Sequence, residues 1–196
     1  MKAVLLGGTT GIGRAIARQL AERGASLFLL GLDADDLARS AADLTARHPK
    51  GAAVGTAVCN LEEPAGFAPA LDAADEALGG FDTVIVTAAM FATQDALEAD
   101  LDFALRLVTV NYGHTVIFCE RARQRMMARG GGTLVVFSSV AGDRGRKPVV
   151  IYGSSKAGIA ADLEGLDHRF HDKGLTVVCV KPGFVKTAMT AHLDPP

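Results

Sequence analysis

The chain of 196 residues has no tryptophan, and aromatic residues make up only 6% of it. Its 22 glycines and abundant alanines instead suit close packing of helices on a sheet. Charge of one sign is missing too. A net charge of -2 provides neither the cationic stripe that nucleic acid requires nor a polybasic membrane patch. Cysteine is sparse: Cys59, Cys119 and Cys179 are odd in number, far apart and without a C-x-x-C pair. That pattern argues against a disulfide framework and predicts buried free thiols in a reducing cytosol. No apolar run reaches the length of a membrane span, and Lys2–Leu6 meets glycines too soon to be a signal peptide. The expectation is a cytoplasmic protein with no transmembrane segment. Its length suits one domain, residues 1–196, with a sizeable core.

What is present is an alternation of short apolar runs with longer amphipathic ones. Ala3–Leu6, Ser26–Leu30, Ala52–Cys59, Thr83–Val86, Thr133–Phe137 and Thr176–Val180 read as strands buried on both faces. Helical patterns cover Gly13–Arg23, Pro64–Leu78, Asp100–Arg129 and Tyr152–Lys173. A further one places Leu37, Ala41 and Leu44 on one face, with Asp36, Arg39, Asp43 and Arg47 outward. Gly24, Gly79-Gly80, Gly130–Gly132 and Gly174 follow helices, as C-terminal caps do. Strands joined by crossover helices predict an α/β fold, a doubly wound parallel sheet in three layers.

The first strand runs into Gly7-Gly8-Thr9-Thr10-Gly11-Ile12-Gly13-Arg14 and then a helix. Gly7 and Gly11 allow a tight turn and close approach of a pyrophosphate, and Gly13 allows the helix to pack on the strand. A P-loop is excluded, because Gly13-Arg14-Ala15 stands where Gly-Lys-Ser/Thr is needed. The strict G-x-G-x-x-G fails as well, with Ile16 at the third glycine. G-x-x-x-G-x-G remains, either a dinucleotide turn or a merely structural one.

Tyr152 and Lys156 lie four apart on a predicted helix and so point the same way. An ammonium beside a phenol favours the phenolate, which predicts a lowered Tyr152 pKa and a group able to exchange protons near neutral pH. Ser139 is spaced to reach the same substrate oxygen, although Ser138-Ser139 also fits the polar end of a strand. Asn111 is unfavourable inside a helix, which suggests a task or a kink. His48, His114, His168, His171 and His192 are scattered and read as surface residues, so no metal site is expected.

In their order and spacing, Gly7-x-x-x-Gly11-x-Gly13, Asn111, Ser139, Tyr152-x-x-x-Lys156 and Pro182-Gly183 resemble the short-chain dehydrogenase/reductase family over nearly the whole chain. The resemblance implies a Rossmann-like fold, a nicotinamide dinucleotide and hydride exchange between a ketone and a secondary alcohol. It implies that Tyr152 is the general acid/base and that Lys156 lowers its pKa and holds the nicotinamide ribose. Ser139 would orient the carbonyl, and Asn111 would support a water relay to Lys156. The cofactor-binding set it implies is Gly7, Thr9, Thr10, Gly11, Ile12, Gly13, Arg14, Leu32, Asn60, Leu61, Ala88, Ala89, Tyr152, Lys156, Pro182, Gly183, Val185 and Thr187. It also implies a homodimer or homotetramer built on the Asp100–Arg129 and Tyr152–Lys173 helices.

Four departures from the family pattern stand out. Val86-Thr87-Ala88-Ala89 replaces the usual Asn-Asn-Ala-Gly, which removes two asparagines from local stabilisation. Gly31-Leu32-Asp33 ends strand two with neither the acidic nor the basic cofactor signal. The missing carboxylate, with Arg14 available to a 2′-phosphate, favours NADP(H) over NAD(H). Asn60 replaces an aspartate, though an amide still offers adenine a hydrogen bond. The chain ends at Pro196, before the substrate-covering helices and seventh strand usual in the family. The basic stretch Ala141–Pro148 fits an anionic substrate or a solvated loop. The spellings Tyr152–Gly158 and Val185–Leu193 resemble the decaprenylphosphoryl keto-pentose reductase branch. Two other readings are a non-catalytic dinucleotide-binding scaffold or redox sensor, and an epimerase or dehydratase, for whose substrate domain the chain lacks room.

Overall fold

The computed structural model describes residues 1–187 and Thr190. Among them six strands form one parallel sheet in the order β3-β2-β1-β4-β5-β6. In chain order the elements are β1 (Lys2–Leu6), α1 (Gly11–Glu22), β2 (Ser26–Gly31), α2 (Ala34–Arg47) and β3 (Gly55–Val58). Then come α3 (Phe67–Leu78), β4 (Thr83–Val86), α4 (Gln94–Ala99), α5 (Leu101–Val108) and α6 (Thr115–Met127), with a π-helical turn, Thr109–His114, between the last two. β5 (Gly132–Phe137), α7 (Val150–Phe170) and β6 (Leu175–Val180) complete the series. The expected doubly wound fold is present. Residues 188, 189 and 191–196, including His192, and with them most of the Val185–Leu193 spelling, lie outside the described residues.

Alternation along β1 explains the layering. Val4 and Leu6 pack on one face with Phe67, Leu71, Phe118, Ile159 and Leu163 of α3, α6 and α7. Ala3 and Leu5 point the other way, onto Ala17 and Ala21 of α1 and Leu37 and Leu44 of α2. A strand covered on both faces has no polar side, which is why the inner strands read as continuous apolar runs.

Three expectations are corrected at the edges. β3 begins at Gly55 rather than Ala52, because the backbone N–H groups of Ala52 and Val54 donate to His48 and Thr45 on the end of α2. β3 and β6 are edge strands and not buried on both faces; Val58 is 54% and Val178 40% exposed. Cys59 and Cys119 are buried free thiols, whereas Cys179 on β6 is only half-buried.

α4 was not legible as a separate helix. Thr93 caps it by accepting from the Ala96 N–H at 3.4 Å. Its Gln94 side chain then accepts the Ile151 N–H at 3.0 Å, satisfying one of the donors left open at the start of α7. Two histidines also differ from expectation. His48 is buried and accepts from the Lys50 and Ala52 N–H groups, and His114 is half-buried with Nδ1 2.6 Å from the Leu61 carbonyl oxygen. Among the described residues no helix is long and apolar enough to cross a membrane.

Candidate active site

A cleft of about 1310 Å³ opens across the carboxyl ends of the strands. It is centred where β1 and β4 lie side by side and the strand order reverses, the usual ligand crevice of open α/β sheets. Every residue expected to bind cofactor lines it except Arg14; Ser139 lines it too, and Asn111 stands behind it.

The glycine turn is shaped by what lies behind it. Gly7 has φ 92°, a conformation that glycine adopts without strain. A Cβ on Gly13 would fall 2.1 Å from the Gly7 carbonyl oxygen and 2.5 Å from the Thr87 hydroxyl. Thr87, the residue in place of the second asparagine, donates its hydroxyl to the Gly7 and Leu6 carbonyls at 3.1 and 3.2 Å. The local stabilisation missing from the sequence pattern is thus supplied by a different residue type. The Thr10 side chain makes no capping bond to α1, so the first-turn N–H groups of that helix stay open beside the cleft. Open donors, a positive helix end and room where side chains would intrude fit the phosphates of a dinucleotide.

At the far end of this half, Asp33 caps α2 by accepting from the Asp36 N–H at 2.8 Å, and Asp36 pairs with Arg39. Arg14 points elsewhere, 3.5 Å from Asp43 of α2. Asn60 uses both ends of its amide within its own loop, on Glu62 and Glu63. That loop is tied to the helices behind it by His114 on Leu61 and by Arg106 on Glu62 at 2.7 Å.

The other half of the cleft holds Ser139, Tyr152 and Lys156. Close approach brings them together. A Cβ on Gly153 would fall 2.6 Å from the Ala141 carbonyl oxygen, so only glycine there lets the segment after β5 lie directly on α7. Ser138 is buried and spends its hydroxyl on the Lys156 carbonyl at 2.8 Å. Ser139 accepts the Ala141 N–H at 3.1 Å, and its hydroxyl faces the cleft beside Tyr152. Phe91 holds the Tyr152 ring edge-to-face, with centroids 4.9 Å apart.

The electrostatics differ from the simple expectation. Burial raises the Tyr152 pKa above the ordinary phenol value, and the Ser139 hydroxyl draws it partly back. Lys156 is not what moves it: Nζ lies 5.8 Å from the ring centroid and donates to the Phe137 carbonyl at 2.9 Å. Lys156 itself is 4% exposed, and burial pushes its ammonium down to about 8. It can therefore exchange a proton near neutral pH.

Asn111 sits in the π-helical turn, 1% exposed. Its Oδ1 accepts the Met90 N–H at 2.7 Å and its Nδ2 donates to the Met90 carbonyl at 2.8 Å. The side chain thus holds the strand-four loop as a second strand would, and the kink suspected from an asparagine in a helix is this turn. After β6, the Thr187 methyl packs on Gly11, at 3.6 Å from a Cβ built there. Thr190, which sequence reasoning missed, donates to the Val185 carbonyl at 2.6 Å and shapes that edge of the cleft.

Comparison with known proteins identifies the family. The short chain dehydrogenase family model matches residues 1–196. An uncharacterised oxidoreductase of Mycobacterium tuberculosis is 35% identical over 98% of this chain and 76% of its own length. One from Staphylococcus aureus is 31% identical over 98% of this chain and 81% of its own. Among solved structures, a variant of actinorhodin polyketide ketoreductase with NADPH superposes with a TM-score of 0.89 at 25% identity, covering 97% of this chain and 73% of that one. Levodione reductase gives 0.88 at 26% identity, covering 95% and 72%. Agreement in sequence and in backbone over nearly all of this chain makes it an oxidoreductase of the short-chain dehydrogenase/reductase family.

Proposed function

We propose that the protein interconverts a ketone and a secondary alcohol, with Tyr152 as general acid/base and a nicotinamide dinucleotide held along the cleft. The observation that carries this reading is the meeting of Ser139, Tyr152 and Lys156 in the same cleft as the glycine turn. When bound, the dinucleotide supplies or accepts the hydride. The chain's own residues manage the proton. In the reducing direction Tyr152 gives its proton to the carbonyl oxygen as negative charge develops there, and the Ser139 hydroxyl donates to the same atom. Burial keeps Tyr152 protonated until that moment. Lys156, near neutrality in pKa, receives and returns the proton behind it, and Asn111 fixes the Met90 loop that forms the adjoining wall.

Phosphates would rest on Gly7–Gly13, adenine beside Asn60 and Leu61, and the nicotinamide end by Ala88, Ala89, Pro182, Gly183, Val185 and Thr187. For the choice of dinucleotide, Gly31 leaves no carboxylate at the end of β2, while Asp33 is spent on capping and Asp36 on Arg39. This supports NADP(H) over NAD(H). Arg14 gives that choice no support, since it pairs with Asp43. Titration with both dinucleotides decides it; tighter NAD(H) would reverse the choice.

Exposed Leu101, Leu105, Tyr112 and Ile117 along α5, the π-helical turn and α6 support a homodimer or homotetramer. A monomer by light scattering would refute it. Three free thiols suit a cytoplasmic setting. The function itself is tested by following nicotinamide absorbance with a panel of ketones. Turnover must appear with the wild type and fall by about 10³-fold in Tyr152→Phe; a panel-wide failure with dinucleotide still bound would identify a binding protein instead.

A further inference from the structure

The segment between Ser139 and α7 carries Arg144, Arg146 and Lys147, all exposed. The one acid among them, Asp143, is engaged by Lys181 at 2.8 Å and so does not neutralise the arginines. Of these three cations, only Arg146 lines the cleft, on the same side as Ser139 and Tyr152. Among the described residues its guanidinium has neither a hydrogen bond nor an ion pair.

Two features separate Arg146 from an ordinary solvated charge. Of the described cleft-lining residues, only Arg146 and Lys156 are cations, and Lys156 Nζ is committed to the Phe137 carbonyl. The lining carboxylates are mostly at the other end and committed: Asp33 to the Asp36 N–H, Asp36 to Arg39, Glu62 to Arg106. Asp95 alone lies at the substrate end without a partner among the described residues, and it does not pair with Arg146. Phe91, Pro148 and Val149, neighbours of Tyr152 or Arg146 in contact or in sequence, give the same cleft apolar lining beside the polar Thr93 and Gln94. A guanidinium beside apolar walls is a site for a planar or tetrahedral anion on an apolar body.

We propose that Arg146 is the anion-recognising residue of the substrate end, and that the substrate is a ketone or secondary alcohol bearing a carboxylate or phosphate beside an apolar group. This rests on the ketone–alcohol reaction proposed above. The reaction at the carbonyl is unchanged: hydride to carbon, proton from Tyr152 to oxygen, dinucleotide oxidised as the ketone is reduced. Arg146 takes no part in the transfer and sets which ketones arrive.

The test uses aryl ketones carrying a carboxylate on chains of increasing length, each paired with its methyl ester. A parallel set carries phosphate monoesters paired with their free alcohols. The wild type should favour the anionic member by roughly tenfold or more in kcat/KM, through KM, the effect of one charge-assisted hydrogen bond. Arg146→Gln should bring that ratio to about one, Arg146→Lys should restore part of it, and Arg144→Gln should keep the wild-type ratio. Whichever set shows the preference identifies carboxylate or phosphate as the anion. No preference in the wild type, or a preference surviving Arg146→Gln, overturns the inference. Equilibrium binding of the same pairs to the dinucleotide-saturated protein separates the two claims. Anion preference in binding without turnover of any pair would leave Arg146 standing and remove the ketone–alcohol reading.

Discussion

The two halves of the cleft are built on opposite principles. The half formed by β1, β2, α1 and α2 works through backbone: positive-φ glycine, open helix N–H groups and a Gly13 that has no room for one more carbon. Its charged side chains largely pair with each other, Asp43 taking Arg14, Arg18 and Arg47 at 3.5, 3.1 and 2.9 Å. The half formed by β4, β5, α7 and the π-helical turn works through side chains that would be expensive anywhere else. It buries an ammonium on Lys156, an amide on Asn111 and a phenol on Tyr152. One half is limited by volume, the other by chemistry. The lesson is that binding and reaction should be separable by mutation.

The largest effect should come from violating volume. Gly13→Ala places a carbon against the Gly7 carbonyl and should destabilise the fold by about 3 kcal/mol, read by chemical denaturation, while weakening dinucleotide binding. A variant as stable as the wild type would show that the turn gives way, and the contrast between the halves would blur.

Next is the buried charge. The fall of the Lys156 pKa from 10.5 to about 8 corresponds to about 3 kcal/mol of destabilisation at neutral pH. Lys156→Met removes it but leaves the Phe137 carbonyl without its donor, about 1 kcal/mol. The variant should thus be more stable by about 2 kcal/mol at pH 7 and inactive. The unfolded chain holds this proton more tightly than the folded one, so the Lys156 contribution grows more favourable with pH between about 8 and 10.5. The stability gap between variant and wild type should accordingly narrow as pH rises through 8. Titration of the buried Cys59 and Cys119 acts in the opposite direction in both proteins and cancels in that difference; Cys179, which Lys156 influences directly, is replaced by serine in both. A gap independent of pH would mean that Lys156 is not held against its charge.

The smallest effect belongs to the residue joining the halves. Thr87→Val keeps the shape and loses the hydroxyl bonds to the Leu6 and Gly7 carbonyls. It should lower stability by about 1 kcal/mol and weaken dinucleotide affinity, leaving turnover at saturation near that of the wild type. Loss of turnover at saturation would place Thr87 with the reacting half.

The sequence was most legible where periodicity and spacing carry the signal. Inner strands covered on both faces stood out as apolar runs, and the glycine turn could be placed because its spacing follows strand one. Less was legible where long-range partners decide. That Ala52 and Val54 lend their N–H groups to α2, or that Gln94 caps α7, depends on contacts that no local pattern encodes. Asn111 drew attention as an ill-placed helix residue, but its partner Met90 could not be read. The Tyr152 and Lys156 spacing correctly put both side chains in one cleft, yet burial rather than their mutual charge governs the phenol. Arg14 shows the reverse: position suggested a phosphate ligand, and Asp43 from the next helix had already taken it.

The central claim is that Tyr152 serves the reaction and not the binding. Calorimetric titration of the dinucleotide into wild type and Tyr152→Phe, beside turnover of the same preparations, measures both at once. The account predicts affinities within about threefold of each other and turnover lower by about 10³-fold in the variant. Turnover surviving the substitution, or affinity collapsing with it, would contradict the account.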